Sequence, residues 1–148
     1  MIYSTVSGIK NGKGVSHLYE LREKEKAKLV IDHATGLMWQ QSGSKEDMSH
    51  RRAQKCIYDL NRRSFAGYND WRLPTLEEAM SLMEPKKHAD FYIDPIFDFA
   101  QKWIWTADKK SAGEAWIVNF CNGICDDWSP DWNDDSYVRA VRGEQLHI

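Results

Sequence analysis

The sequence predicts an α+β domain, and three observations carry the prediction. Two amphipathic helical patterns lie in the first half, one after Ser49 and one after Thr75. Short strand patterns crowd the second half, among them WIWTAD and AWIVNF. The segment SYVRAVRG near the end reads as a last strand that can pair with a strand near the beginning, bringing the two termini together. The 148 residues suit one domain, and a 42% hydrophobic content supplies a real core.

Each element has a local cause. Residues 1–27 read as an N-terminal extension or linker: Gly8, Gly12 and Gly14 suggest loop, and LYELREKEKAK reads as a short charged helix or linker. The domain proper, residues 28–148, opens with LVIDHATGLMWQ as a β-hairpin. Leu29–Ile31 and Leu37–Gln40 are its strands, and Gly36 supplies the positive φ of the turn. Ser49 caps a helix whose apolar stripe is Ala53, Cys56, Ile57 and Leu60 and which stops near Arg63. In the loop GYNDWRLPT, Trp71 and Leu73 plug the core, Asn69 and Asp70 shape a turn, and Arg72 bridges backbone carbonyls. Thr75 and Glu78 form a capping box for the helix LEEAMSLME, ended by Pro85. IDPIFDF is a loop with buried anchors; WIWTAD, AWIVNF and SYVRAVRG are strands. In the last, Tyr137, Arg139 and Val141 face one side and Val138, Ala140 and Arg142 the other.

Charge and cysteine usage narrow the function. A formal net charge of -2 argues against a nucleic-acid partner, which calls for a basic footprint. Lys45, His50, Arg51, Arg52, Lys55, Arg62 and Arg63 nevertheless crowd one segment, read as a solvated helix face. Of the three cysteines, Cys56 reads as a buried thiol, while Cys121 and Cys125 are compatible with a local disulfide or with two free thiols. This usage fits a reducing compartment, and with neither a signal peptide nor a membrane-spanning run in view the expectation is cytoplasmic, surface display through a longer parent protein being the alternative. No histidine belongs to a nucleophile motif, and GIKNGKG lacks the spacing of a phosphate-cradling loop, so no enzyme, cofactor or metal is expected.

The functional signal is Ala115–Gly143. Strand-like ends enclose an aromatic and acidic stretch, an arrangement suited to recognition, because large amphipathic side chains give contact area at low entropy cost. The candidate ligand-binding residues are Trp116, Asn119, Cys121, Asn122, Ile124, Cys125, Asp126, Asp127, Trp128, Ser129, Asp131, Trp132 and Asn133. Trp116, Trp128 and Trp132 are the expected contact anchors, and the carboxylates favour a basic surface on a macromolecular partner, most simply a protein. Arg139 or Arg142 is expected to pair with Asp108 or Glu114.

The ordered segments DHATGLMWQ, GYNDWRLPTLEEAMSL, IWTADKK with AWIVNF, and SYVRAVRG resemble the Lcl C-terminal domain family over about Lys28 to Gly143. The resemblance implies a C-type-lectin-like fold, related to that of formylglycine-generating enzymes, with two helices packed on small antiparallel sheets and the first and last strands paired. It also implies a bacterial binding module. Some such proteins are the variable proteins of diversity-generating retroelements, in which massive sequence variation at template adenines rewrites codons near the C-terminus. This chain is similar to that group. Asn119, Cys121, Asn122, Ile124, Cys125, Asp126, Asp127, Ser129, Asp131, Asn133, Asp134 and Ser136 are all types reachable from an asparagine codon by adenine changes. Phe120 and Gly123 suit fixed frame positions, while Trp128 and Trp132 are either fixed or from another codon.

Two alternatives stay open. One is a calcium-dependent glycan-binding lectin or adhesin head: Trp132-Asn133-Asp134 resembles what many calcium-dependent C-type lectins carry before the last strand, and Asp126, Asp127, Asp131 and Asp135 can add oxygen ligands, although the resembled family is generally without that calcium site. The second half of that site is not evident, since Glu84-Pro85-Lys86 is read at a helix end with the wrong follower. A formylglycine-generating-type thiol enzyme would use Cys121 or Cys125, without the surrounding pattern.

Overall fold

Alternating apolar residues and two well-capped helices build three antiparallel sheets joined through a common core. The structure, a computed structural model, describes residues 3–7, 17–112, 114–121, 124–128 and 135–144, the stretches 3–7 and 124–128 as backbone. A five-stranded sheet has the order β1 (Tyr3–Ser7), β2 (His17–Lys24), β3 (Ala27–Asp32), β4 (Leu37–Gln40) and β10 (Val141–Arg142). β5 (Met83–His88) pairs with β6 (Phe91–Ile93), and β7 (Trp103–Ser111), β8 (Glu114–Asn119) and β9 (Ile124–Trp128) form the third sheet. The helices are α1 (His50–Arg62) and α2 (Leu76–Ser81), with a 3-10 turn at Phe65–Gly67.

The segment LYELREKEKAK is strand β2, a tight turn and the start of β3, not a helix or linker. The reason is positional. Tyr19 and Glu20 are buried, while Glu23, Lys24, Glu25 and Lys26 occupy the exposed end of the hairpin, where a charge run carries no helical information. Positive φ at both Glu25 (50°) and Lys26 (67°) gives the two-residue turn the twist that antiparallel strands need. The expected β3–β4 hairpin is present, with Gly36 at φ 78°. Its turn is organised by the buried Asp32 carboxylate, which accepts hydrogen bonds from the Leu18 and Ala34 amides and the Thr35 hydroxyl and pairs with His17.

α1 begins as expected: Ser49 Oγ accepts the Arg52 amide at 3.2 Å, and Ala53 and Leu60 are buried. α2 has both halves of its capping box, Thr75 Oγ1 accepting from Glu78 N and the Glu78 carboxylate from Thr75 N. It ends at Ser81, and Met83-Glu84-Pro85 already belong to β5. Proline drives its predecessor toward extended backbone, so the helix stops short of the position where the missing N–H alone would end it.

The final segment differs from a two-sided strand. Val138, Arg139, Ala140 and Val141 are all fully buried, and only Val141–Arg142 pair regularly, with Trp39 and Met38 of β4. β10 is thus paired with the second strand of the hairpin, and β1 lies at the opposite edge of the sheet. Residues 136–141 cross the core, bridging Met48, Ile104 and Arg72 in turn. Trp39, Trp71 and Trp105 lie in three adjoining apolar clusters, with Trp71 and Leu73 buried as expected. Burying one such indole is worth about 6 kcal/mol at most by area. Gly43 marks a close approach: a Cβ there would lie 1.8 Å from the Val138 carbonyl oxygen.

Candidate functional site

β8 is held on both faces. Ala115 and Ile117 pack with Trp105 and Val138, while Val118 and Phe120 pack in the cluster that holds Ile104. Such a strand makes a stiff support. β9 adds to its free side in register, with Ile124 opposite Asn119, Cys125 opposite Val118, Asp126 opposite Ile117, Asp127 opposite Trp116 and Trp128 opposite Ala115. Five of the thirteen candidate residues therefore stand on a regular edge strand.

Both ends of the window are tied to the same part of β7. At one end Asn119 pairs with Trp103. At the other, Tyr137 bridges Ile104, its amide donating to the Trp103 carbonyl (3.1 Å) and its carbonyl accepting from the Trp105 amide (3.0 Å). One residue earlier, Ser136 exchanges two backbone hydrogen bonds with Met48, at 2.8 and 2.9 Å. The stretch between Asn119 and Tyr137 thus has two fixed feet on one strand.

The sequence-nominated residues distribute as follows. Trp116 is half-buried, with the Lys110 ammonium 5.4 Å from its ring centre, and its carbonyl accepts from Thr106 Oγ1. Asn119 turns the chain, its side-chain oxygen accepting the Cys121 amide at 2.8 Å. Cys121 is a half-buried free thiol whose pKa burial raises, against the opposing pull of Lys102 and Lys87. Asn122, Ser129, Asp131, Trp132 and Asn133 lie outside the described residues, as do Gly123 and Asp134. Ser136 is fully buried, so its place among the changeable positions is corrected: it belongs to the foot of the window. Phe120, 1% exposed, does belong to the frame. Among the described residues no group of three or more His, Cys, Asp or Glu could hold a metal ion.

The arginine expectations need correction. Arg139 pairs with neither Asp108 nor Glu114; its fully buried guanidinium donates to the carbonyls of Gln40, Gln41 and Asp98 and to Gln101 Oε1, and stacks 5.0 Å from the Phe97 ring centre. Burial lowers its pKa to about 10, partly countered by Asp98 and Tyr19. Arg142 pairs with Asp70 at 2.7 Å and covers Tyr68 at 3.9 Å, so Asp70 serves a long-range ion pair rather than a local turn. Asp108 instead accepts the first amide of α2, and Glu114 accepts from Ser111 Oγ. Arg72 does reach the carbonyls of Leu73 and Gly143, but its main partner is the Glu78 carboxylate, at 2.7 and 2.8 Å. Of the crowded cations, His50 is withdrawn: it is buried edge-on to Trp105, and burial lowers its pKa. Carbonyl acceptors carry no side-chain signature, so the Arg139 set was hidden from sequence reasoning; the polar, conformable Gln101 gave no signal either.

The mixed fold, with Asn119 and Tyr137 both tied to β7, defines an α+β domain. The chain belongs to the Lcl C-terminal domain family, which it matches over residues 28–142. Comparison with curated proteins finds no match. No helix among the described residues is long and apolar enough to cross a membrane.

Proposed function

We propose that this protein is a ligand-binding module of C-type-lectin-like type, presenting the window Asn119–Asn133 to a protein partner as the variable protein of a diversity-generating retroelement. The observation that carries the reading is the pair of feet on β7. With Asn119 held at Trp103 and Tyr137 at Ile104, composition between them, outside the buried Phe120 and Ser136, can change without loosening the support. The residue types in the window support adenine-directed variation, and its carboxylates favour a basic partner surface. A catalytic thiol at Cys121 is disfavoured, since burial pushes that group up, away from the thiolate form a nucleophile needs.

Two experiments test this. The locus should hold a near-copy of the codons for Ala115–Arg142 beside a reverse transcriptase gene, differing mainly at template adenines; an unpaired, singular locus ends the retroelement reading. Independently, a library randomised at the candidate codons from Asn119 to Asn133 should yield mostly folded protein by protease resistance. A library that unfolds wholesale would falsify the display reading. The Trp132-Asn133-Asp134 motif keeps a calcium-dependent lectin as the second reading. It predicts a rise in thermal midpoint with calcium, reversed by a chelator.

A further inference from the structure

α1 carries a charge pattern that works against its own stability. Its first turn has no acidic residue and instead presents Arg51 and Arg52 to the positive end of the helix dipole. α2, in the same molecule, has Glu77 and Glu78 there, the stabilising choice. Among the described residues no ion pair involves Arg51, Arg52, Lys55, Arg62 or Arg63. Arg51 and Arg52 thus oppose local stability without an ion-pair partner, and point to an external anion; Arg62, in the last turn, suits the helix dipole, and Arg63 stacks 5.5 Å from the Phe65 ring centre.

The shape agrees. A groove of about 710 Å³ runs along this helix, its cationic rim formed by Arg52, Lys55, Arg62 and Arg63. Met48 and the half-buried Cys56 give it apolar lining, and Asp59 is the one acid among the described lining residues. Arg52 and Arg62 are separated by about 15 Å of helix, the span of four to five extended residues, about 3.3 Å each. Tyr58, 66% exposed, stands on the same helix as a ready contact aromatic.

We propose that the outer face of α1 is a docking groove for a short acidic segment of a partner protein. The segment would lay one apolar side chain on Met48 and Cys56 and set carboxylates against the flanking arginines, which take carboxylates bidentately. A polyphosphate chain fits less well. It would meet Asp59 inside the groove and, running beyond it, a molecule of net charge -2. The proposal stands on α1 and does not depend on the window.

The test uses the full chain and fluorescein-labelled probes read by anisotropy. The probes are a peptide of about ten residues, alternating Asp and Glu around a central Leu; the same peptide with Ser for Leu; and an oligothymidine of about twelve nucleotides. The Leu peptide should bind, more weakly as salt rises from about 0.02 to 0.2 M. The Ser peptide and the oligonucleotide should bind at least about tenfold more weakly, a difference of about 1.4 kcal/mol. Joint replacement Arg52→Glu, Lys55→Glu and Arg62→Glu should weaken binding by about tenfold or more. The thermal midpoint should change little, because the carboxylate that Arg52→Glu places in the first turn offsets the last-turn cation lost in Arg62→Glu. Lys86→Glu with Lys109→Glu, on other elements, should leave binding intact. Failure of the Leu peptide to bind, equal binding of the Ser peptide, tighter binding of the oligonucleotide, or indifference to the charge reversal would each overturn the proposal.

Discussion

Arg139 shows how much one buried residue can decide. Four acceptors depend on its guanidinium, three of them backbone carbonyls from β4, the residue after it and the loop before β7. Replacing it leaves those acceptors dry, and each unsatisfied buried group costs about 1–3 kcal/mol. Arg139→Met, which keeps the length, should therefore destabilise by about 3–5 kcal/mol, read as a fall in urea midpoint at unchanged slope. A loss below about 1 kcal/mol would show that the guanidinium is not the tie described. Asp32 gives a second prediction. Burial alone would raise its pKa, but hydrogen bonds from His17 and the Leu18 and Ala34 amides outweigh this and hold it below the usual value. A carboxylate depressed in the folded state contributes stability above its unfolded pKa, about 3.9, and loses it as pH falls through the folded value. The thermal midpoint should thus drop steeply below about pH 4. Asp32→Asn should be less stable at neutral pH and show a shallower acid slope; equal slopes would remove Asp32 from the account.

At the scale of elements, local signals and tertiary packing divided the work. The β3–β4 hairpin, the Ser49 cap and the Thr75–Glu78 box were legible because each is a contact within a few residues. β2 was not, because its charge belongs to a hairpin end whose exposure only the folded sheet defines. The single pairing edge of β10 likewise followed from neighbours distant in sequence, whereas the early end of α2 has a local cause in Pro85. Gly43 offers a test of this layer. It has no turn to make; it is small because the Val138 backbone passes where a Cβ would be, and Ser44 N–H donates to that same carbonyl at 2.8 Å. Gly43→Ala must push the last segment away from the strand it crosses, and should cost about 3 kcal/mol by calorimetry. A neutral result would mean that residues 136–141 shift freely and are no rigid foot for the window.

For the whole molecule, the organising fact is that the window leaves and rejoins the core on one strand. Asn119 and Tyr137 both meet the Trp103–Ile104 stretch through backbone pairing. Replacing Trp128, Asp131 and Trp132 together with Ala should therefore shift the thermal midpoint by no more than about 3 °C, while abolishing capture of any partner selected against the parent window. A fall of about 10 °C or more would assign those side chains to the core.

The sequence by itself determined the β3–β4 hairpin, the starts of the two helices and the family, because caps, turn glycines and alternation act over a few residues and leave their mark in order. It also marked Trp71 and Leu73 as core. Only the tertiary structure decided that residues before Lys28 complete the five-stranded sheet, that Arg139 binds backbone rather than an acid, and that half the basic segment forms a groove while His50 turns inward. The reason is common to all three. Backbone carbonyls look alike in every sequence, and whether a charge meets water or protein is settled by neighbours tens of residues away.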